Sequence, residues 1–338
     1  MTCTLDDLEM WYEDGIGAHV VVTDNAGVTI WEGFVDSVDI SVGGQTIRRG
    51  PLMDVGNSVL LTYALQDAST APPSSGNNTL STGAEDTDSI MAYGVRQQIV
   101  NAGSCTAAQA TQYLQLWMTE NAWPRTSQDI DLSGGGGGPT ISFSCLGYYN
   151  TMDYYYHNIS NASGSVTGTV NLSTKMASVL DYDWAGWFSS ANASIATNTT
   201  AVAAYEGDWS EAGSIIKTLI DLGDSSYNRY KYMVGPDRFV TYAQVPTTVR
   251  YYRAFTDPAQ AVWEANGPVP PWTVQPGEWL MLTDWQAARF LPTSFYTDSR
   301  YMLIEQVTFT APWGLSLSSG RSDRLAQMIA QLGLKGKE

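Results

Sequence analysis

The feature that most limits the fold is a strand pattern near the N-terminus, TIWEGFVDSVDISVGGQTIRRGPL, residues 29–52. Apolar and polar side chains alternate along it, with Val38, Ile40 and Val42 at one set of positions and Ser37, Asp39 and Ser41 at the other. Because successive side chains of a strand point to opposite faces, this period of two predicts a sheet with one face on a core and one polar face.

Composition and charge narrow the class of protein. The chain has 338 residues, and its 34 acidic and 17 basic residues give a formal net charge of -17. An excess of acids disfavours binding to nucleic-acid phosphates. Many aromatic, glycine and hydroxyl residues indicate a β-rich protein with long loops. The N-terminus lacks the pattern of a signal peptide, and no apolar run reaches the length of a membrane span, so we expect a soluble chain made in the cytoplasm.

The first half reads as strands followed by helices. Residues 18–67 predict a meander of strands, and residues 68–88 predict a long loop or an arm that orders on a partner. A helix is expected over about 89–101. A second is expected over 106–122, where Thr106 and Gln109 fit a capping box, and Pro124 ends it.

The second half begins with a loop-rich, helical region and ends in strands, so two β modules separated by helices are possible. Residues 150–210 form a loop-rich region with one predicted helix near 174–188, and a further helix begins at Ser210 and ends before Gly223. Strands are predicted again in the last third. The final element is an amphipathic helix with an apolar face that something must cover, formed by Leu325, Met328, Ile329 and Leu332.

No motif for chemistry is complete. The three cysteines are far apart and the two histidines, His19 and His157, lie near no nucleophile or metal motif. The pentaglycine at 134–138 lacks the Lys and Ser/Thr of a P-loop and is interpreted as a hairpin loop. We therefore expect no enzyme activity, no cofactor and no metal.

Two aromatic stretches leave alternatives open. Asp181 and Asp183 stand beside Trp184 and Trp187, a composition that a glycoside hydrolase uses, but residues two apart on a helix point to different faces. The stretches DYYYH at 153–157 and RYKYM at 229–233 suit either carbohydrate stacking or packed strand ends. A structural interpretation is favoured for each.

Several segments together resemble the baseplate hub or tail-tip hub proteins of tailed bacteriophages. The resemblance is carried, over roughly half of the chain, by WEGFVDSVDISVGG, RRGPLMDVGNSVLLTYALQD, AYGVRQQIVNAGSCTAAQATQYLQLWMTENAWP, ISFSCLGYYNTM, RFVTYAQVPTTVRYY, QPGEWLMLTDW and YMLIEQVTFTAPWGLSLSSG. All are packing patterns, so the resemblance transfers no catalytic residue.

The resemblance implies an α+β, β-rich fold with two tail-tube-like β-barrel or sandwich modules, inserted helices and a loop-rich middle. The expected division is 1–149 with helices at about 89–122, then 150–225, then 226–338 with the C-terminal helix. It also implies a homotrimeric ring at the tail tip of a virion that continues the tail tube and contacts distal tail, tip or fibre proteins.

DNA would pass through such a ring without specific binding, and we expect acids to outnumber bases on the axis-facing surface. Leu325, Met328, Ile329 and Leu332 are the candidate assembly residues. The alternatives are a receptor- or carbohydrate-binding tail protein and, less favoured, a wall-degrading hydrolase.

Overall fold

The structure is a computed structural model, and it describes residues 5–65, 79–130, 138–157, 168–182, 186–204, 210–254, 261–283, 301–310 and 314–318. It is a β-rich α+β protein with several small sheets. None of the sheets formed by these residues closes into a barrel. The chain divides into two compact units, residues 1–227 with 232–242, and residues 228–231 with 243–338.

Five α-helices and twenty-two strands are assigned within the described residues. The helices are α1 Leu5–Asp14, α2 Thr87–Tyr93, α3 Ala107–Asn121, α4 Leu172–Asp181 and α5 Ala212–Leu222. The strands up to α4 are β1 His19–Thr23, β2 Thr29–Val42, β3 Gln45–Arg49, β4 Ser58–Leu65, β5 Thr79–Glu85, β6 Gln97–Cys105, β7 Thr126–Ile130, β8 Thr140–Gly147, β9 Tyr156–His157 and β10 Thr169–Asn171. The later strands are β11 Ala193–Ile195, β12 Ala201–Ala203, β13 Ser210–Glu211, β14 Tyr230–Val234, β15 Val240–Gln244, β16 Val249–Ala254, β17 Val262–Glu264, β18 Gly267–Val269, β19 Trp279–Thr283, β20 Tyr301–Leu303, β21 Gln306–Thr310 and β22 Gly314–Ser318.

The predicted strand of the opening stretch is β2, the centre of a five-stranded antiparallel sheet. Its first half pairs with β1 and its second half with β3, while β8 pairs along the opposite edge and β7 adds to β3. A two-residue turn joins β2 to β3. Gly43 and Gly44 both have positive φ, 58° and 86°, as the hairpin turns that match strand twist require.

Helix α1 covers the apolar face of this sheet. Trp11 meets Phe143 edge to face at 4.9 Å, and the Tyr12 hydroxyl lies 3.1 Å from the Thr126 hydroxyl. Arg49, which shares this face, donates from Nη1 to the backbone oxygens of Tyr12 and Glu13, at 2.6 Å each. These carbonyls belong to the last turn of α1 and have no partner inside the helix, so the arginine satisfies them and complements the helix dipole.

A second sheet with the order β5-β4-β6 packs against α3. Their shared core consists of Val59, Leu61, Tyr63, Ala110 and Leu114. The capping box predicted for α3 is confirmed: the Thr106 hydroxyl accepts from the Gln109 amide, and the Gln109 side chain accepts from the Thr106 amide. The helix therefore begins where the sequence indicated.

Two predictions for this region are wrong. The helix expected over 89–101 is only α2, because Gly94 ends it at positive φ and the following residues form β6, which pairs in parallel with β4. Part of the expected loop at 68–88 is strand β5, paired with β4 over its whole length. Both errors come from pairing with β4, a non-local interaction that overrides local composition.

The middle region contributes two helices to the first unit. Helix α4 ends at Asp181, earlier than the expected 188, and buries Leu172, Met176, Val179 and Leu180. Helix α5 buries Ile215, Ile216 and Leu219, but Leu222 is 54% exposed, so the predicted apolar face is confirmed for three of its four members. Gly223, at φ 64°, ends the helix as predicted.

The second unit has its own sheet, in the order β18-β17-β16-β19-β20, and the hairpin β21-β22. Its core consists of Tyr251, Val262, Val274, Leu280 and Ile304. Lys231 and Glu278, both largely buried, pair at 2.5 Å. The division at 150 and 226 expected from the sequence stays a prediction. Among the described residues, no helix is both long and apolar enough to cross a membrane.

The adjacent arginines of β3 allow a matched test of the role of α1. Replacing Arg49 by Met removes two charge-assisted hydrogen bonds to the end of α1, and we expect the free energy of unfolding to fall by about 2 kcal/mol. Arg48→Met, on the opposite face and exposed, should cost much less because surface ion pairs stabilise little. Urea unfolding of both variants measures the difference. Equal losses would contradict this role for Arg49.

Candidate assembly surface

From Ser37 onward, past the bulge that follows Val35, the face of the first sheet opposite α1 carries mostly serine and threonine side chains together with three charged ones. Strand register places on one face Ser37, Asp39 and Ser41 of β2, Thr46 and Arg48 of β3, Ser127 and Asp129 of β7, and Thr140, Ser142 and Ser144 of β8. We call this set the hydroxyl face. Its members are all exposed or half-buried. The predicted separation of polar and apolar residues along β2 is therefore confirmed for Val38 and Ile40, whereas Val42 is 43% exposed; the polar face extends over four strands.

The few charges of the hydroxyl face largely cancel. Arg48 donates to both oxygens of Asp39, at 2.7 and 2.8 Å, and these contacts together with Asp129 nearby raise the pKa of the guanidinium. The face thus holds two acids and one base. The Ser41 and Thr46 hydroxyls lie 2.8 Å apart and further fix the surface. What remains is a hydrated face of short side chains with no strong charge.

The same sheet presents unpaired edges at both sides. All five residues of β7 are exposed, and within the described part of the chain β7 pairs only with β3. Ile130 at the end of β7 is 64% exposed. On the other side of the sheet, β8 pairs only with β2 among the residues that the structure describes. Open edges of this kind are templates for pairing with another strand.

Two buried residues of opposite charge, Asp36 in β2 and Arg96 just before β6, were missed by sequence reasoning. Arg96 is 2% exposed, and its guanidinium carbon lies 3.7 Å from the centre of the Tyr154 ring. Asp36 is 6% exposed and accepts from the Met53 amide at 3.1 Å. Burial lowers the pKa of Arg96, and burial raises the pKa of Asp36 against the opposing effects of its amide donors and of Arg96. Each charge therefore costs free energy to hold in the interior.

The turn between β14 and β15 is a second polar feature that was missed. Asp237 and Arg238 both have φ 56°, and the Phe239 amide donates to the Pro236 oxygen at 3.1 Å, which makes a mirror-image hairpin turn. This conformation is unfavourable for arginine. Contacts of the Arg238 guanidinium with the Tyr148 and Trp187 rings, at 4.6 and 5.4 Å, offset that cost.

Glu32 anchors this turn to β2. Its two carboxylate oxygens accept from the Asp237 amide at 2.5 Å and contact the His19 ring at 2.8 Å, and Asn192 donates to the Asp237 oxygen at 3.0 Å. Clefts of about 310 and 340 Å³ lie beside the turn, both lined by Glu32. Because Glu32, Asp237 and Asn192 are bonded to one another or to neighbouring residues, these contacts hold the turn against β2.

The candidate catalytic residues do not converge. Both oxygens of Asp181 are occupied by Ser190, through its amide and its hydroxyl, at 2.7 Å each. Trp187 instead contacts Arg238 and Tyr148, while Asp183 and Trp184 lie outside the described residues. His19 contacts Glu32, and His157 is buried. No group of three or more His, Cys, Asp or Glu residues suited to a metal occurs in the described parts of the chain.

The aromatic stretches interpreted as packed strand ends are partly buried in the first unit. Tyr154 and Tyr155 are 5% and 2% exposed, and Tyr232 is 9% exposed on β14. The assembly candidates Leu325, Met328, Ile329 and Leu332 lie outside the described residues, as does most of the pentaglycine. Comparison of the chain with protein-family models, curated proteins and solved structures finds no match.

Some of the missed features left a signal in the sequence. Pro236, Asp237 and Arg238 stand between two stretches rich in β-formers and could have been read as a hairpin turn. Arg96 gave no comparable signal, because nothing in its neighbours indicates that it would be buried. The hydroxyl face was visible on β2 alone. Its width depends on β7 and β8, whose pairing no local pattern specifies.

The buried Asp36 predicts a pH dependence of stability. Asp36 holds its proton more tightly in the folded than in the unfolded chain, so its contribution to stability is present in acid and is lost as the pH rises through its folded pKa. The melting temperature of Asp36→Asn should therefore rise relative to that of the unsubstituted chain as the pH increases above the ordinary aspartate pKa of about 4. The control is Asp24→Asn in an exposed turn. A constant difference for Asp36→Asn would contradict the prediction.

Proposed function

We propose that this chain is a structural protein of a phage or phage-like particle, the hub of the tail tip or baseplate, whose copies form a ring that continues the tail tube. The observation that carries the proposal is the hydroxyl face on a sheet with open edges. The proposal adds to it the segments that resemble hub proteins. Under this proposal, the sheets of both units belong to tail-tube-like modules.

The hydroxyl face suits the wall of a conduit. A genome that passes through a ring must not bind to it, and phosphate binding depends on Lys and Arg side chains. The single base on this face, Arg48, is held by Asp39 in a bidentate ion pair. Serine and threonine hydroxyls keep a layer of water between the wall and the DNA.

The open edges suit closure into a ring. If β7 of one copy pairs with β8 of the next, the two contacting surfaces differ, and such head-to-tail contacts close into a ring when the rotation allows it. Backbone hydrogen bonds across that junction would satisfy edges that invite aggregation in a lone subunit. Three copies, each with two modules, remain the expected number. The amphipathic helix with Leu325, Met328, Ile329 and Leu332 is proposed to cross a subunit boundary.

The rival functions receive less support from the described residues. A carbohydrate-binding tail protein would be favoured by a separate lobe at 150–210 with solvent-facing aromatic rings. Residues of that range instead belong to the first unit, and Tyr154 and Tyr155 are buried. A wall-degrading hydrolase needs two convergent carboxylates, and Asp181 is engaged by Ser190.

Proline substitution on β7 tests closure through the sheet edges. Consecutive backbone amides of a strand point to opposite sides, so of Ser127 and Gln128 one faces β3 and the other faces the free edge. Ser127→Pro and Gln128→Pro are thus a matched pair. We expect one variant to lose stability and the other to stay folded but fail to form rings, as judged by urea unfolding and mass photometry. Ring formation by the variant that stays folded would overturn edge pairing.

Charge placed on the hydroxyl face tests the conduit. Particles that carry Ser37→Lys, Ser142→Lys and Ser144→Lys together should release DNA several-fold more slowly at low salt, and added salt should restore the rate because it weakens phosphate binding. The matched control has Glu at the same three positions. The readout is dye-labelled DNA leaving intact particles. Unchanged release from particles that contain the lysine variant would count against a DNA-facing wall.

A further inference from the structure

We propose that Asn266 is a site of spontaneous deamidation, a chemical modification that converts its side-chain amide into a carboxylate. Asn266–Gly267 is the one Asn-Gly pair in the sequence. A glycine after asparagine leaves the next backbone nitrogen unhindered by a side chain. The pair lies at the turn between β17 and β18, where Asn266 is exposed.

The surroundings leave room for the reaction. A Cβ placed on Gly267 would meet no atom within 4 Å, so nothing among the described residues crowds the nucleophile. No hydrogen bond holds the Asn266 side-chain amide to a described residue. The Asn266 side chain is thus exposed and held by no hydrogen bond to a described residue, while Gly267 is half-buried and pairs with Glu264 across the hairpin.

The hairpin itself can open locally. Strand β18 is an edge strand of three residues, and its middle residue, Pro268, has no backbone amide to donate. Few hydrogen bonds therefore hold the end of this hairpin, and segments of this kind open at low free-energy cost. Opening lets the Asn266 backbone rotate until its side chain faces the nitrogen of Gly267.

The chemistry needs only water. The deprotonated Gly267 nitrogen attacks Cγ of Asn266 and forms a new C–N bond. The bond from Cγ to Nδ2 then breaks, ammonia departs, and the product is a cyclic succinimide. Water then opens the ring at either carbonyl and gives aspartate or isoaspartate. The sum is amide plus water to carboxylate plus ammonium, with no change of oxidation state.

The product changes both charge and backbone. A new carboxylate appears two residues from Glu264, which Arg250 holds through an ion pair of 2.9 Å. Isoaspartate also adds a methylene group to the main chain, which is incompatible with the pairing of Glu264 with Gly267 that closes the hairpin. Deamidation would thus accumulate with time and add negative charge at the edge of the second unit's sheet.

Asn57 is an internal control. It also precedes a small residue, Ser58, but it is fully buried, and its side chain bonds Ser89, the Gly94 oxygen and the Arg96 amide. The fold therefore fixes Asn57 and leaves Asn266 free. The protection of Asn57 depends on the fold and should be lost when the chain is unfolded, although Asn266 should stay the faster site because Gly267 has no side chain.

The experiment is peptide mapping of the full-length chain aged in mildly alkaline buffer. The peptide with Asn266 should gain the mass of an NH₂ to OH exchange and split into two chromatographic forms, while the Asn57 peptide stays amidated. Asn266→Gln should abolish the change. In denaturant, both peptides should react. An Asn266 peptide that stays amidated in the folded chain after the denatured chain has converted, or earlier conversion of Asn57, would overturn the proposal.

Discussion

Strand pairing on both edges of β2 is the constraint on which the first unit depends. One strand carries β1 and β3 along one edge and β8 along the other, so its side-chain alternation sets the faces of these three neighbours and, through β3, of β7. Gly33 permits the close approach of β8, because a Cβ there would lie 2.2 Å from the Leu146 oxygen. A slip of one residue would turn Val38 and Ile40 to solvent and the hydroxyl face to the core.

The consequences of that register are clearest at the two arginines of β3. Arg48 lies on the hydroxyl face and pairs with Asp39, while Arg49 lies on the apolar face and holds the end of α1. Adjacent residues of the same type therefore have unrelated roles. In the interior of the unit, burial of Arg96 and Asp36 costs desolvation free energy. The stacking of Arg96 on Tyr154 offsets part of that cost.

Features that depend on neighbouring residues in the sequence could be predicted, and features that depend on contacts between distant residues could not. The alternation on β2, the capping box at Thr106 and the stop at Gly223 are local, and each is confirmed. Strands β5 and β6 were misread because their partner, β4, decides their conformation. The burial of Arg96 depends on Tyr154, 58 residues away by the difference of their numbers, and leaves no pattern in the sequence.

The hydroxyl face would suit a conduit because it is weakly charged, and not because it is acidic as the sequence suggested. A net charge of -17 suggested an acidic wall that repels phosphate, yet this face carries two acids and one base, with Arg48 neutralised by Asp39. Acids elsewhere are screened beyond a Debye length of about 8 Å at physiological salt. A wall of short, hydrated hydroxyls instead avoids binding because its one cation, Arg48, is held by Asp39 and its other side chains are small and polar or acidic. Weak adhesion would then depend on the strand register of β2 more than on the net charge of the chain.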